Sequence, residues 1–358
     1  MKYEQICKVY HELESTTKGL EKTKILAKFL SKIKTEPQLI YLLQGKVFPD
    51  YDERELGISH QFAIKAISRA TGIKDSEIVT QFKQLGDLGK VAEFVMSKKM
   101  QSTLFSQKLT TEKVLQNLQK LPKLEGKGTV DKKIAFIAEL LNSATPEEAK
   151  YIIRTVLGDL KVGVGNGLLR DAIVEFCFKP KDITEKKQYV EQVQHAYDKS
   201  TDFAEVFDKA RKNKLKQISL SPGKPVKVML FPKAKDVEDA FRIVGKPAAF
   251  EYKYDGFRMM INKSESGEIK IFTRRLDNVT NQFPDAIEFV KQNVKAKSFI
   301  LDAEAVGYNP QTKKYLPFQY ISQRIKRKYH IEKLVKQLPI ELTVFDTVSY
   351  THLTLPTN

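Results

Sequence analysis

Cysteine is scarce in this sequence: Cys7 and Cys177 are the only two in 358 residues, and they lie far apart. That count excludes a disulfide framework and a thiolate zinc site. The five histidines are scattered, so they form no local cluster with metal-ligand spacing. Apolar residues never run on for the roughly 20 positions that a bilayer-spanning helix requires. The opening Met1-Lys2-Tyr3-Glu4-Gln5 offers no apolar stretch of the secretory-leader kind. A reducing, cytosolic setting is expected. Internal repeats and low-complexity tracts are also missing.

What is present describes a folded, basic protein. Hydrophobic residues make up 41% and charged residues 29%, ordinary values for a chain that buries a core. The length suits about two domains at roughly 150 residues each. The net charge is +17 and the pI near 9.5. Such an excess favours a polyanionic partner, for which nucleic acid is the default.

The first half reads as successive helices. Tyr3–Leu13, Gly19–Ile33 and Gln61–Thr71 repeat apolar residues every three or four positions with lysines between. Thr145-Pro146-Glu147-Glu148 is a helix start: an N-cap threonine, proline at the first helical position, then acids in the first turn. The lysine-rich stretch 209–216 closes this region; charge alone fits a solvated helix face equally well. A turn-rich linker follows, Ser219-Leu220-Ser221-Pro222-Gly223-Lys224-Pro225. The pattern then changes. Ala248–Tyr254, Arg258–Asn262, Ile269–Thr273, Ser298–Gly307 and Ile340–Phe345 are expected as strands, and Pro284–Asn293 and Lys333–Leu338 as helices. The expected division is a helical domain over residues 1–217, a linker over 218–225 and an α+β domain over 226–347.

The sharpest chemical signal is Glu251-Tyr252-Lys253-Tyr254-Asp255-Gly256-Phe257-Arg258. On a strand, alternate side chains share a face, which would group Glu251, Lys253 and Asp255. Gly256 allows a backbone path that other residues resist, and Arg258 can return to the site from the next strand. A lysine amine attacks only when neutral, and its reference pKa is about 10.4. Lowering that to about 8 takes roughly 3 kcal/mol of differential interaction. A nearby arginine or divalent metal favours the neutral amine, whereas Glu251 and Asp255 oppose it. The plain alternative is an exposed hairpin carrying an ion pair.

KYDGFR resembles the KxDGxR lysine motif of the covalent nucleotidyltransferases: DNA ligases, RNA ligases and mRNA capping enzymes. The wider PAAFEYKYDGFR is similar to the ATP-dependent DNA ligases of archaea and eukaryotes; the closing Arg258 separates it from NAD-dependent bacterial ligases. Further resemblances follow in order: Phe272-Thr273-Arg274-Arg275 to the SRR element, with threonine for serine; Leu301-Asp302-Ala303-Glu304-Ala305-Val306 to the third motif; Pro317-Phe318-Gln319 with Arg324 to the PFQ…R segment; and Val344-Phe345-Asp346 to the FD element.

The resemblance implies an all-α DNA-binding domain followed by an incomplete α+β nucleotidyltransferase domain with antiparallel sheets. It implies that Lys253 attacks the α-phosphate of ATP and holds AMP as a phosphoramidate. Glu251 would accept a hydrogen bond from the adenine amino group. Arg258 and Arg274 would contact ribose and phosphate, or the 5′-phosphate at a nick. Glu304 would bind the ribose or a metal–water cluster, and Phe345 would stack on adenine. ATP and Mg²⁺ are the implied nucleotide and metal, with ADP, NAD or another divalent metal left open. Nicked double-stranded DNA is the implied partner, a sliding clamp a further one, and the chain is expected to be a monomer. It would work in the cytoplasm of an archaeal-type cell, or in the nucleus of a eukaryote. Two alternatives remain: an RNA ligase or capping-type transferase, which the long helical region disfavours, and a duplex-binding module without turnover.

Two segments of the helical half, Leu85–Glu93 and Gly158–Asp171, resemble parts of the same ligases' DNA-binding domain. In the second, Gly163, Gly165 and Gly167 precede a helix and expose backbone N–H groups to a phosphate. Arg170 follows on that helix. Such contacts position a duplex without reading its bases. The alternative is a packing joint between helices.

The C-terminus departs from the family. Val348-Ser349-Tyr350-Thr351-His352-Leu353-Thr354-Leu355-Pro356-Thr357 matches a translation of a transposase-type sequencing adapter, GTC TCT TAT ACA CAT CTG ACG CTG CCG ACG. Residues 348–358 are therefore expected to be foreign to the natural protein, whose family continues into an EGxVxK motif, a KxK motif and an OB-fold domain.

Overall fold

The computed structural model describes residues 1–52, 54–98, 108–124, 126–227, 232–327 and 329–350. The chain separates into two compact units. One comprises Met1–Tyr197 with Asp202–Ile218, and the other Asp198–Thr201 with Ser219 onward.

The first unit is helical. Its α-helices among the described residues are α1 (Tyr3–Glu14), α2 (Gly19–Leu30), α3 (His60–Thr71), α4 (Asp75–Leu85), α5 (Leu88–Ser97), α6 (Thr111–Lys120), α7 (Thr129–Asn142), α8 (Pro146–Val156), α9 (Asn166–Cys177), α10 (Ile183–Ser200) and α11 (Phe203–Arg211). The start of α8 forms a capping box. Glu148 N donates to Thr145 Oγ1 at 3.3 Å, and Thr145 N donates to Glu148 Oε2 at 2.8 Å. Such a cap contributes about 1 kcal/mol. One continuous core fills the unit, drawing Tyr10 and Leu13 from α1, Val91 and Val95 from α5, and Tyr151 and Ile152 from α8. None of the described helices is long and apolar enough to cross a membrane.

Leu85–Glu93 serves as a packing joint. Asp87 caps α5 by accepting from Gly89 N at 2.8 Å and Lys90 N at 3.2 Å. It also accepts from Arg154 Nη2 at 2.8 Å, and Arg154 reaches Glu14 on α1 as well. Burial pushes the Asp87 carboxyl up, but the hydrogen bonds and charge of Arg154 outweigh it and hold the group at about 2.

The second unit is built on a four-stranded antiparallel sheet in the order β2-β1-β3-β4: β1 (Phe257–Lys263), β2 (Ile269–Thr273), β3 (Phe299–Gly307) and β4 (Ile340–Tyr350). Helices α12 (Val237–Val244), α13 (Pro284–Asn293), α14 (Phe318–Ile325) and α15 (Ile331–Gln337) complete it. Side chains alternate between the faces. Phe257, Met259, Ile261, Ile271, Phe299 and Leu301 pack with Phe283, Val290 and Ile321 in one core. On the opposite face Met260, Phe272 and Ile300 pack with Leu220 and Val226. Register carries Arg258 opposite Glu304, and Glu304 opposite Thr343. Asp302 pairs with Asp346 and Ala303 with Val344, so Phe345 is an inserted residue, a β-bulge.

One expected strand does not form. Residues 248–254 belong to no sheet and no helix. Their residue types suit a strand, yet a strand needs a neighbour to satisfy its main chain, and no described segment pairs with them. The alternation expected for Glu251, Lys253 and Asp255 therefore has no pleat to impose it, and all three are exposed. Strand β4 continues through Val348–Tyr350, where the adapter-matching segment begins; residues 351–358 lie outside the described residues.

Candidate functional site

The sheet face opposite α13 and α14 carries the polar cluster. Arg258, at the start of β1, directs its guanidinium at Asp302 on β3. Its Nε lies 2.9 Å from both carboxylate oxygens, and Nη2 bonds Oδ2 as well. Asp302 is only 2% exposed. The same guanidinium lies over the Phe345 ring, 5.5 Å from its centroid, within cation–π range. Hydrogen bonding to Asp302 raises the pKa of Arg258 further, with added attraction from Glu304 and Asp346.

Glu304, on the same face, has no guanidinium hydrogen-bonded to it among the described residues. Burial raises its pKa; the charges of Lys253 and Arg258 pull it back, Asp302 pushes it up, and a hydrogen bond from the Gly256 backbone favours the ionised form. Lys253 and Glu304 are thus brought within electrostatic reach, although Lys253 itself is exposed on a segment outside the sheet. Gly256 is required for space, where the sequence pattern had pointed to an unusual backbone path. A Cβ there would stand 2.3 Å from the Ala305 carbonyl oxygen, and its φ lies outside the left-handed region. The tight approach of Gly256 to β3 sets the distance between the lysine segment and Glu304.

A cavity of about 230 Å³ opens on the same side of the sheet, lined by Tyr254, Asp255, Val306, Tyr315, Pro317 and Thr343. Tyr315 is fixed by donating to Glu341 Oε1 at 3.0 Å. Phe345 is partly exposed, at 44%, so its ring is open to a planar ligand. Glu251 is exposed just ahead of Lys253. Arg274 is exposed in the turn after β2, free of ion pairs among the described residues. The structure therefore gathers Arg258, Glu304 and Phe345 around Asp302, brings Lys253 into the field of Glu304, and leaves Glu251 and Arg274 on open surface.

Arg324 is fully buried. It donates to Asp285 at 2.9 and 2.5 Å and to the carbonyls of Gln282 and Leu338 at 3.0 Å. That makes it a staple between α14, α13 and the approach to β4. Sequence reasoning had noted Asp302 and Arg324 only as members of motifs. The signal for Asp302 was a pair of carboxylates, Asp302 and Glu304, in an otherwise apolar strand.

In the helical unit, Gly163, Gly165 and Gly167 are exposed around the start of α9. Gly165 is the N-cap and makes no side-chain cap. Asn166 turns its amide towards Asp50 and Tyr197, at 3.0 and 2.9 Å, and accepts from Gln44 at 2.8 Å. Arg170 is held by Asp171, with Nε at 2.8 Å, and by Gln194 at 3.0 Å.

Comparison with known proteins bears on both units. The family model described as DNA ligase N terminus matches residues 2–174, and that described as ATP dependent DNA ligase domain matches residues 228–356. A DNA ligase of Nanoarchaeum equitans is 43% identical over 353 residues, covering 97% of this chain and 60% of the relative. A DNA ligase of Thermococcus onnurineus is 40% identical over 355 residues, covering 97% and 61%. The chain thus spans about 60% of the length of the curated relatives it matches. The solved structure titled Pmar-Lig_PreS3 aligns with 95% of this chain and 56% of its own at 16% identity and a TM-score of 0.42, a likeness too slight to build on. The chain belongs to the ATP-dependent DNA ligases of the archaeal type, of which it carries the helical N-terminal DNA-binding domain and the adenylation domain.

Proposed function

We propose that the complete protein seals nicks in duplex DNA with ATP, through a Lys253–AMP intermediate and then a DNA-adenylate. The observation that carries this is the grouping of Arg258 and Glu304 on one sheet face beside the accessible ring of Phe345, with the charge of Lys253, on the segment just ahead of β1, felt by Glu304. Lys253 Nζ attacks the α-phosphate of ATP, a P–N bond forms and pyrophosphate leaves. The AMP passes to the 5′-phosphate of a nick, and attack by the 3′-hydroxyl then expels it.

Each surrounding side chain has a part. Phe345 offers a π-face for adenine, and Glu251 an acceptor for its amino group. Arg258 and Arg274 supply positive charge to the ribose–phosphate or to the nick 5′-phosphate. Glu304 has the hard oxygen donor that suits Mg²⁺ held largely through water and phosphate. When bound, such an ion would neutralise triphosphate charge. The exposed glycines Gly163, Gly165 and Gly167, with Arg170, lie on the surface we assign to the duplex.

The 358-residue chain alone is proposed to be impaired in complete sealing, because the lysine motifs and OB-fold that the family places after the FD element are not among its residues. Residues from Val348 onward are proposed to be foreign; sequencing the gene from its source and finding this string before a natural stop codon would overturn that. A cytoplasmic, archaeal setting, a monomeric state and recruitment by a sliding clamp belong to the same reading.

The deciding experiment incubates a version extended to full length with α-labelled ATP and Mg²⁺, beside its Lys253→Ala variant. The expected result is a covalent label on the parent and none on the variant. A label persisting in the variant would overturn the site. Salt-dependent duplex binding with no adduct in the parent would instead favour a binding module without turnover.

A further inference from the structure

Lys22 is a buried cation with no carboxylate beside it. It lies in the first turn of α2 and is only 9% exposed. Its Nζ donates to the Val162 carbonyl at 2.6 Å, 140 residues further along the chain. The neighbouring acid on its own helix, Glu21, is taken by Lys18 and Thr16. Among the described residues no carboxylate pairs with Lys22. An ammonium carries three N–H donors, and the carbonyl occupies one. Burying a cation is costly unless an anion accompanies it. The remaining donors are open to an anion from outside this unit.

The surroundings say which kind. Nζ lies at Gly163, where a Cβ would stand 2.8 Å away. Gly163 has a left-handed φ of +64°, which turns the loop from Val162 into α9. No side chain caps the first N–H groups of α9, and open space lies where Cβ atoms of Gly165 and Gly167 would stand. Asn166 and Arg170 are both committed to other partners. A buried ammonium against Gly163, two residues ahead of the uncapped N-terminus of α9, offers positive charge and free backbone N–H groups to a tetrahedral oxyanion.

We propose that Lys22 and the backbone N–H groups at the start of α9 together hold one phosphate of the DNA duplex. Lys22 supplies the charge and the glycines let the sugar–phosphate chain approach the main chain. This rests on the reading of the helical unit as DNA-binding, and adds to it a residue that no motif marks.

The test uses the full chain, with Lys22→Met to keep the aliphatic stem and Lys22→Arg as the conservative variant. Affinity for a short nicked duplex is measured across a salt series, with thermal unfolding in parallel. The expected result for Lys22→Met is a slope of log K against log salt shallower by about 0.9, the signature of one lost phosphate contact. Lys22→Arg should restore the slope. If Lys22 only staples α2 to the loop, Lys22→Met will lower the melting temperature and leave the slope unchanged, which overturns the proposal. A parallel titration with inorganic phosphate covers the other source of the same chemistry. Lys22-dependent protection by free phosphate, with no change in the duplex slope, also overturns it. Absence of salt-dependent duplex binding by the parent chain would overturn the DNA-binding reading itself; an unchanged slope beside intact parental binding removes only the role of Lys22.

Discussion

Arg258 and Asp302 meet across β1 and β3, and the carboxylate that grips the guanidinium is almost wholly removed from water. Asp302 therefore governs where Arg258 can point. Asp302→Asn keeps the shape but removes the countercharge and replaces one of the two acceptor oxygens with an N–H donor facing the guanidinium. We expect a loss of about 2 kcal/mol in stability, read by urea unfolding of the second unit. In the full-length version, slower formation of the AMP adduct should accompany it. Unchanged stability and unchanged adduct rate would show that Arg258 stands without this support.

Gly256 gives a steric prediction. Gly256→Ala places a methyl 2.3 Å from the Ala305 carbonyl oxygen. Backbone must move to admit it, so a cost on the order of 2 kcal/mol is expected, in the range of an overpacked core. Gly165→Ala is the contrasting variant, since its Cβ meets open space and its φ is ordinary. Its stability should change by about 0.5 kcal/mol or less, as surface substitutions do. Equal costs at both positions, measured by chemical denaturation, would contradict this account.

Burial raises the Glu304 carboxyl above its ordinary 4.5, against the pull of Lys253 and Arg258. The folded chain therefore holds that proton more firmly than the unfolded chain. The associated stability is complete below the unfolded value and is lost as pH rises through the folded one. Glu304→Gln cannot titrate. Parent stability minus variant stability should fall as pH rises from about 4 to about 8. A difference that stays flat across that span would remove burial as the dominant influence on Glu304.

Asp87 behaves in the opposite sense. Held at about 2 by Arg154, it contributes stability that is present above its ordinary 3.8 and lost as pH falls towards 2. Asp87→Asn should cost the helical unit about 2 kcal/mol at neutral pH, by linkage and loss of the ion pair. That gap should close in strong acid. Acid titration of unfolding, followed by circular dichroism, measures it; a gap that persists at the acid end would argue against the linkage.

Arg324 is a buried charge of the second unit whose guanidinium makes four hydrogen bonds. Arg324→Lys retains a charge but cannot reproduce the fork that grips Asp285 and two carbonyls at once. Breaking a buried pair of this kind costs roughly 3–5 kcal/mol. The variant should melt well below the parent in calorimetry, and a shift of only a degree or two would show the staple to be dispensable.

Much of the fold was legible. The α13 bounds, Pro284–Asn293, follow from a proline at the first position and an apolar stripe, and β2, Ile269–Thr273, from its residue types. Residues 248–254 have the same composition of a strand, but strand formation depends on a partner that local sequence cannot report. The contiguous motif singled out Gly256, although the reason is the close approach of Ala305 and not the backbone path expected of it. The site was hidden where contact depends on the fold. Asp302 finds Arg258 over 44 residues and Lys22 finds Val162 over 140, and neither separation leaves a periodic trace.

The bulge at Phe345 has a further consequence for anyone recombining this chain with its relatives. In a regular strand, Val344 and Asp346 would emerge on one side. The inserted residue shifts the phase by one step, so Val344 pairs at Ala303 while Asp346 pairs at Asp302, on the side of Arg258. A second shift follows at Val348, between the Leu301–Thr347 and Ile300–Ser349 pairs, so β4 is in effect three reading frames, the first two joined at an aromatic ring. A chimaera spliced within it has to preserve residue count between these joints, because a single deletion would exchange inside for outside along the stretch that follows it.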